Sequence, residues 1–252
     1  MTVVGQLNQS EPLVRWDWVG DHLDDIWDLT VEHLSLTAWA VGLGFVISMI
    51  LALASIRWRW VYEPLAAFCG VLFAIPSVAL FGILVPVTGL GFVPAEIALV
   101  SYTLLILLRN IVAGFDGVPD AVREAADGMG YERWRRALRI DLPLAFPAII
   151  AGLRIATVTT VGLVTVTALV GAGGYGTYIR DGLGSTPRFP TQVTVGTVLS
   201  VVLAVVLDLC FVGVERLATP WRRTARRSPD EPVAGAGGFV AEEATAGGLV
   251  HG

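Results

Sequence analysis

Five long apolar runs, separated by short polar intervals, set the pattern of the chain: 34–56, 65–87, 94–111, 144–170 and 191–217. Each is long enough for a helix to cross the hydrocarbon of a bilayer, which takes about 20 residues. They predict an all-α integral membrane protein with about five spanning helices. The second run is interrupted at Pro76 and closed at Pro86. The longest polar interval, 116–143, lies between the third and fourth runs and is dense in Arg and acids. Pro119 followed by Asp120 and Glu124 opens a helix there, because Pro suits its first position and acids its positive dipole end. Gly128 and Gly130 end it, with Gly130 the left-handed cap. A second short helix over 132–140 puts Trp134, Ala137 and Leu138 on one side, and Pro143 stops it.

The flanks differ from this core. Residues 1–33 read as an external segment: 1–15 are polar with no signal-peptide pattern. Residues 16–30 are acidic, with Trp18, His22, Ile26 and Trp27 near one face. That pattern predicts an amphipathic helix lying on the membrane surface and anchored by Trp. His22 and His33 have no partners at metal spacing and are expected to be interfacial or solvated. The membrane-spanning body is 34–217, and 218–252 holds a basic patch, Trp221-Arg222-Arg223 with Arg226-Arg227, followed by a Gly/Ala/acid tail expected to be disordered.

Composition supports the membrane reading and excludes several functions. Hydrophobic residues make up 54% and charged residues 15%, and mean hydropathy is +0.68; a soluble domain carries about a quarter charged residues. A net charge of −5 gives no footing for nucleic acid. All 17 basic residues are Arg. Without Lys there is no Walker A motif and no Schiff base, so any ATP and Mg used must be bound by another subunit. Cys69 and Cys210 lie in separate apolar runs and read as packing residues. No His/Asp/Glu cluster has metal spacing and no Ser-His-Asp set is evident, so no catalytic or metal-ligating residues are expected.

Arg placement also predicts orientation. With the amino terminus outside and the carboxyl terminus in the cytoplasm, Arg57, Arg59, Arg109 and the Arg residues of 116–143 and 216–227 all face inward. Arg15, Arg180 and Arg188 stay outside, and Arg154 lies within a span. Gly171, Gly173 and Gly176 match G-x-G-x-x-G, but a dinucleotide site needs a preceding strand and these follow a spanning run. Asp208, an acid in an apolar run, is either functional or a polar contact between helices. Arg154 could pair with it or with the 116–143 loop. Glu96, near the external end of its run, is expected to reach the interface.

Within the polar interval, Glu124-Ala125-Ala126, then Gly130, then Ile140 and Leu142-Pro143 follow the spacing EAA-x3-G-x9-I-x-L-P. This resembles the cytoplasmic coupling loop of type I ABC importer permeases. Further strings resemble the branch that imports osmoprotectants such as glycine betaine, choline and carnitine. They are Ile75-Pro76-Ser77, Gly89-Leu90-Gly91, Tyr102, Arg109-Asn110, the run Glu124 to Gly130, Ala151-Gly152-Leu153-Arg154 and Gly171-Ala172-Gly173-Gly174. The match covers roughly 62–217, with Ile106 standing where relatives tend to carry Pro and Asp127 where they tend to carry a basic residue. The resemblance implies ABC ATPase subunits docked on the loop, a second permease, an extracytoplasmic substrate-binding protein and a lipid bilayer as surroundings. It assigns coupling to Glu124, Ala125, Ala126, Gly128, Gly130, Ile140, Leu142 and Pro143. Pro76, Ser77, Arg154 and Asp208 become candidates for the pathway or for helix contacts, and Gly171, Gly173 and Gly174 for an external gate or binding-protein contact. A permease for a methionine- or phosphonate-type solute, or a membrane scaffold without transport, are the competing readings.

Overall fold

Lipid is as apolar as Leu, so helices in it gain little by hydrophobic association. Small residues that let backbones approach decide where they pack. The computed structural model describes residues 12–186 and 188–219. Its helices are α1 (Trp16–Asp21), α2 (Leu23–Arg57), α3 (Tyr62–Ala74), α4 (Ser77–Thr88), α5 (Phe92–Asp116), α6 (Asp120–Gly128), α7 (Arg133–Arg136), α8 (Leu142–Thr167), α9 (Gly176–Gly184) and α10 (Pro190–Ala218). No strand occurs among the described residues. Up to Glu215 the chain forms one unit, and the basic patch and tail from Pro220 onward lie outside the described residues.

The first and last runs differ from each other in burial. α2, α5, α10 and the continuous run Arg133–Val170 are each long and apolar enough to cross a membrane. α3 and α4, bent by 92° at Ile75-Pro76, form a bent pair that is either a broken fifth span or a re-entrant loop. Each of these halves, at about 1.5 Å per residue, is too short to cross alone. The expected closure at Pro86 moves to Thr88, since Pro86 sits inside α4.

α5 is the hub. It packs along α2 and α8 and also meets α3 and α4. Leu107, Leu108, Ile111 and Phe115 lie buried with Ala52, Ala145 and Ile149. On its α8 side a Cβ placed at Gly152 would lie 2.5 Å from the Asn110 Cβ, so only Gly permits this approach. α5 runs unbroken through Ile106, whose carbonyl also accepts a hydrogen bond from Asn110 Nδ2 at 2.8 Å; a Pro there would remove an amide from the helix. α10 buries residues only in its amino-terminal half, at Thr191, Val195, Gly196 and Ser200, and leaves Val201, Val202, Val205 and Leu209 exposed.

At the amino end the structure departs from the expected surface helix. Helix breaks only at His22, and the acidic stretch from Leu23 is the start of α2. Asp24 and Asp25 stand in its first turn, where the helix dipole favours negative charge. Trp18 stacks on His22 at 4.2 Å and meets Tyr178 and Phe189 edge-on at 5.4 and 5.6 Å. The Arg15 amide donates to Thr191 Oγ1, so this segment straps across α9 and α10. α9 itself lies in the interval between the fourth and fifth apolar runs.

The packing predicts opposite effects for two glycines of α8. Gly152→Val should cost about 1–3 kcal/mol through overpacking against Asn110. Gly162→Ala, with nothing near its Cβ position, should be neutral or gain up to about 1 kcal/mol. Thermal midpoints of the detergent-solubilised protein measure both.

Candidate functional site

The interval between α5 and α8 folds as a small polar knob. Pro119 caps α6 and Asp120 stands in its first turn, as the dipole argument requires. At the other end the Tyr131 amide donates to Ala126 O and the Gly130 amide to Asp127 O. Gly130 has φ +80°, the left-handed cap expected of it. Gly128 closes the helix just before. Ala126 is fully buried, whereas Glu124 and Ala125 face solvent.

Arg136 joins the two halves of the knob. Its Nη1 donates to both Asp127 carboxylate oxygens at 2.6 Å, and its Nε lies 3.6 Å from Oδ2 of the buried Asp141. Asp127, out of pattern for the resemblance, therefore has a local partner. Among the exposed charges stand three large apolar side chains: Met129, Trp134 and Leu138 are 69%, 58% and 59% exposed. Exposed apolar groups rimmed by charge mark a surface made for a partner.

Pro143 does not stop the second helix. α7 passes through a π turn, Ala137–Asp141, straight into α8, making one helical run of 38 residues. Pro143 has no amide to donate to the carbonyl four residues back, and its ring crowds that carbonyl. The wider turn, closed by Leu142 N–H donating to Ala137 O, carries the helix into Pro143 without a break. Ile140 and Leu142 are half-buried and Pro143 is exposed.

Toward the spans, the break at Ile75-Pro76 frees a carbonyl, and the Tyr102 hydroxyl donates to Ile75 O. Ser77 then opens α4, half-buried beside the exposed Pro76. Arg154 pairs with Asp208, not with the knob: Nε reaches Oδ1 at 2.8 Å and Nη2 reaches Oδ2 at 3.0 Å. Glu215, two turns along α10, lies 3.8 Å from Arg154 Nη1. These three side chains remain a quarter to a third exposed. Charges at membrane depth face protein or a water-filled cavity, so this face of α8 and α10 is not one for lipid.

The Gly-rich segment is an ordered loop wedged among helices. Gly171, Gly173 and Gly174 all have positive φ. The Gly174 amide donates to Glu32 Oε2 at 3.0 Å and the Tyr175 amide to His33 Nδ1 at 3.2 Å. His33 is fully buried, against the expectation of a solvated or interfacial ring; His22 is half-buried and bonded to Trp18 O. Glu96 likewise is buried rather than interfacial: it is 7% exposed, with no hydrogen-bond partner for either oxygen among the described residues. Glu32 and His33 were missed because nothing near them in sequence marks them. Their one signal is two polar residues beside an apolar run. No group of three metal-ligating side chains occurs among the described residues.

This architecture, long apolar helices and one bent pair around a central helix with an exposed polar knob, is that of an ABC importer's membrane component. Residues 44–221 match the family described as binding-protein-dependent transport system inner membrane component, and the chain belongs to that family. It is 35% identical over 198 residues to the osmoprotectant import permease protein OsmW of Salmonella typhimurium, covering 76% of this chain and 91% of that one. It is 34% identical over 191 residues to the glycine betaine/carnitine/choline transport system permease protein OpuCB of Bacillus subtilis, covering 76% and 87%. In fold it matches a chain of the inward-facing MetNI methionine ABC transporter at a TM-score of 0.69 and 22% identity, covering 77% and 96%. The expected type I importer fold and multi-pass membrane character are thus established.

The Arg154–Asp208 contact can be weighed by a double-mutant cycle. Arg154→Leu, Asp208→Leu and the double variant should give a coupling of about 0.5–3 kcal/mol in thermal stability, the double variant lying closer to wild type than the sum of the singles.

Proposed function

We propose that this chain is the permease subunit of an ATP-driven, binding-protein-dependent importer of osmoprotectants such as glycine betaine, choline or carnitine. The observation that carries the coupling role is the knob: matched EAA spacing, a left-handed Gly130 cap, and an exposed Met129–Trp134–Leu138 tip braced by Arg136. The solute class is supported by its relatives, which are permeases for osmoprotectants and for glycine betaine, carnitine and choline. A second permease, identical or homologous, completes the passage, and an extracytoplasmic binding protein delivers the solute. ATP and Mg belong to ATPase subunits docked on the paired knobs, because this chain lacks the Lys a Walker A motif needs. The amino terminus lies outside and the carboxyl terminus in the cytoplasm, which puts the Arg-rich knob beside the ATPase.

Mechanically, closure of the ATPase pair on nucleotide pushes the tip formed by Met129, Trp134 and Leu138. Glu124, Ala125 and Gly128 present α6 to the ATPase, while buried Ala126 seats it. Ile140, Leu142 and Pro143 join the knob to α8. Pro76, Ser77, Arg154 and Asp208 lie along the spans as pathway or helix-contact residues, and Gly171, Gly173 and Gly174 border the external opening.

Two experiments test this. Mild-detergent purification of the tagged chain from native membranes should bring down an ATPase and an osmoprotectant-type binding protein; recovery of the chain alone from lipid nanodiscs would count against an importer. Gly130→Asp, which places a side chain on a left-handed backbone, should reduce uptake of labelled glycine betaine to background. The amount of protein in the membrane should stay normal. Wild-type uptake by this variant would refute the coupling role.

A further inference from the structure

The loop 171–175 is tied to α2 by a set of polar contacts that no transport role has yet absorbed. Gly173 and Gly174, both left-handed at φ +81° and +71°, turn the backbone into a concavity suited to an anion. The Glu32 carboxylate fills it: a Cβ at Gly173 would lie 2.0 Å from Glu32 Oε1, so glycine is what makes room. Beside it, His33 bridges three elements. Its Nε2 sits 3.1 Å from Val161 O on α8, and its Nδ1 takes the Tyr175 amide. A carbonyl can only accept and an amide can only donate, so these partners select one neutral tautomer. Tyr175 then reaches back, its hydroxyl donating to Thr30 Oγ1 at 2.8 Å. On the far side, Tyr175 O lies 2.8 Å from the Cβ position of Gly196, so α10 also rests on this loop.

We infer that Glu32, His33 and Tyr175 form a latch that seals the external end of the passage and opens once in each transport cycle. This rests on the reading above that Gly171, Gly173 and Gly174 border the external opening. Two features distinguish a latch from ordinary packing. First, α2 is held to α5 and α8 deeper in the bilayer by apolar contacts, with Leu36 and Ala40 against Leu99 and Val164. Separating those would expose hydrocarbon-like surface to water. The latch instead consists of hydrogen bonds and begins at Glu32, which is exposed to solvent, so water has entry there and can take over the Gly174 contact first, before the buried His33 and Tyr175 bonds part. Second, the contacts converge from α2, α8 and α10 on one loop. Releasing that loop, which also lifts Ala172 from its apolar neighbours, frees the outer ends of all three helices while Leu36 and Ala40 stay against Leu99 and Val164.

A reversible crosslink tests this. The Cβ built at Gly174 lies 3.4 Å from the His33 Cβ, close to the separation of about 3.5–4.5 Å in a disulfide. His33→Cys with Gly174→Cys, in a background where Cys69 and Cys210 are replaced by Ser, is reconstituted in proteoliposomes with its partner permease, ATPase and binding protein. If the latch must open, oxidation should cut glycine betaine uptake at least tenfold and dithiothreitol should restore it. Full uptake with the crosslink shown by mobility shift would overturn the latch.

Should the double variant be inactive even when reduced, single variants at Glu32 decide. Glu32→Ala removes the acceptor for Gly174, whereas Glu32→Gln keeps one. A latch predicts binding-protein-independent ATPase activity raised several-fold in Glu32→Ala and near wild type in Glu32→Gln. A merely structural contact would lower the thermal midpoint with no change in the ratio of stimulated to unstimulated activity, and that result overturns the inference. Wild-type complex that hydrolyses ATP but takes up no osmoprotectant would refute the solute assignment; the ATPase comparison would still judge the latch.

Discussion

Hydrocarbon offers nothing to an unpaired amide or carbonyl, so wherever this chain leaves the helix the protein itself must supply the hydrogen bond. That constraint accounts for several of the long-range polar contacts. The carbonyl freed at the α3–α4 bend is met by the Tyr102 hydroxyl from α5. The Gly91 amide at the turn into α5 donates to Val170 O at the end of the long run, at 2.7 Å. The amides of Gly174 and Tyr175 are met by Glu32 and His33 from α2. Each break therefore binds two otherwise separate helices, and the points of irregular backbone are also the points where the bundle is cross-tied.

The apolar runs made the number and order of the spans legible, because membrane-length apolar segments have few other uses. The knob was equally legible: Pro119, Asp120 and Gly130 are local signals whose chemistry works the same way in any surroundings. What was not legible depended on partners distant in sequence. The acids before Leu34 suggested a separate surface helix, yet acids also suit the first turns of a helix, and α2 simply begins among them. Pro143 is a strong stop signal in isolation, but a π turn removes the conflict it creates. His33 and Glu96 looked like interface residues by position, and only the packing of α2, α5 and α8 buries them.

The two departures from the family pattern are informative in the same way. At Asp127 a basic residue would face Arg136; the acid instead forms its closest ion pair and joins α6 to α7. At Ile106 the helix continues with its amide intact. Arg154 shows the converse: the sequence left its partner open, and only the register of α8 against α10 brings it to Asp208.

One further consequence follows from the absence of a loop between α7 and α8. The segment carrying Trp134 and the segment ending at Gly171 are parts of a single helical rod, Arg133–Val170, about 57 Å long at 1.5 Å per residue. In the coupling role proposed above, this run would join the knob to the Gly171 turn through continuous helical backbone, with the π turn at Ala137–Asp141 as its one wider turn.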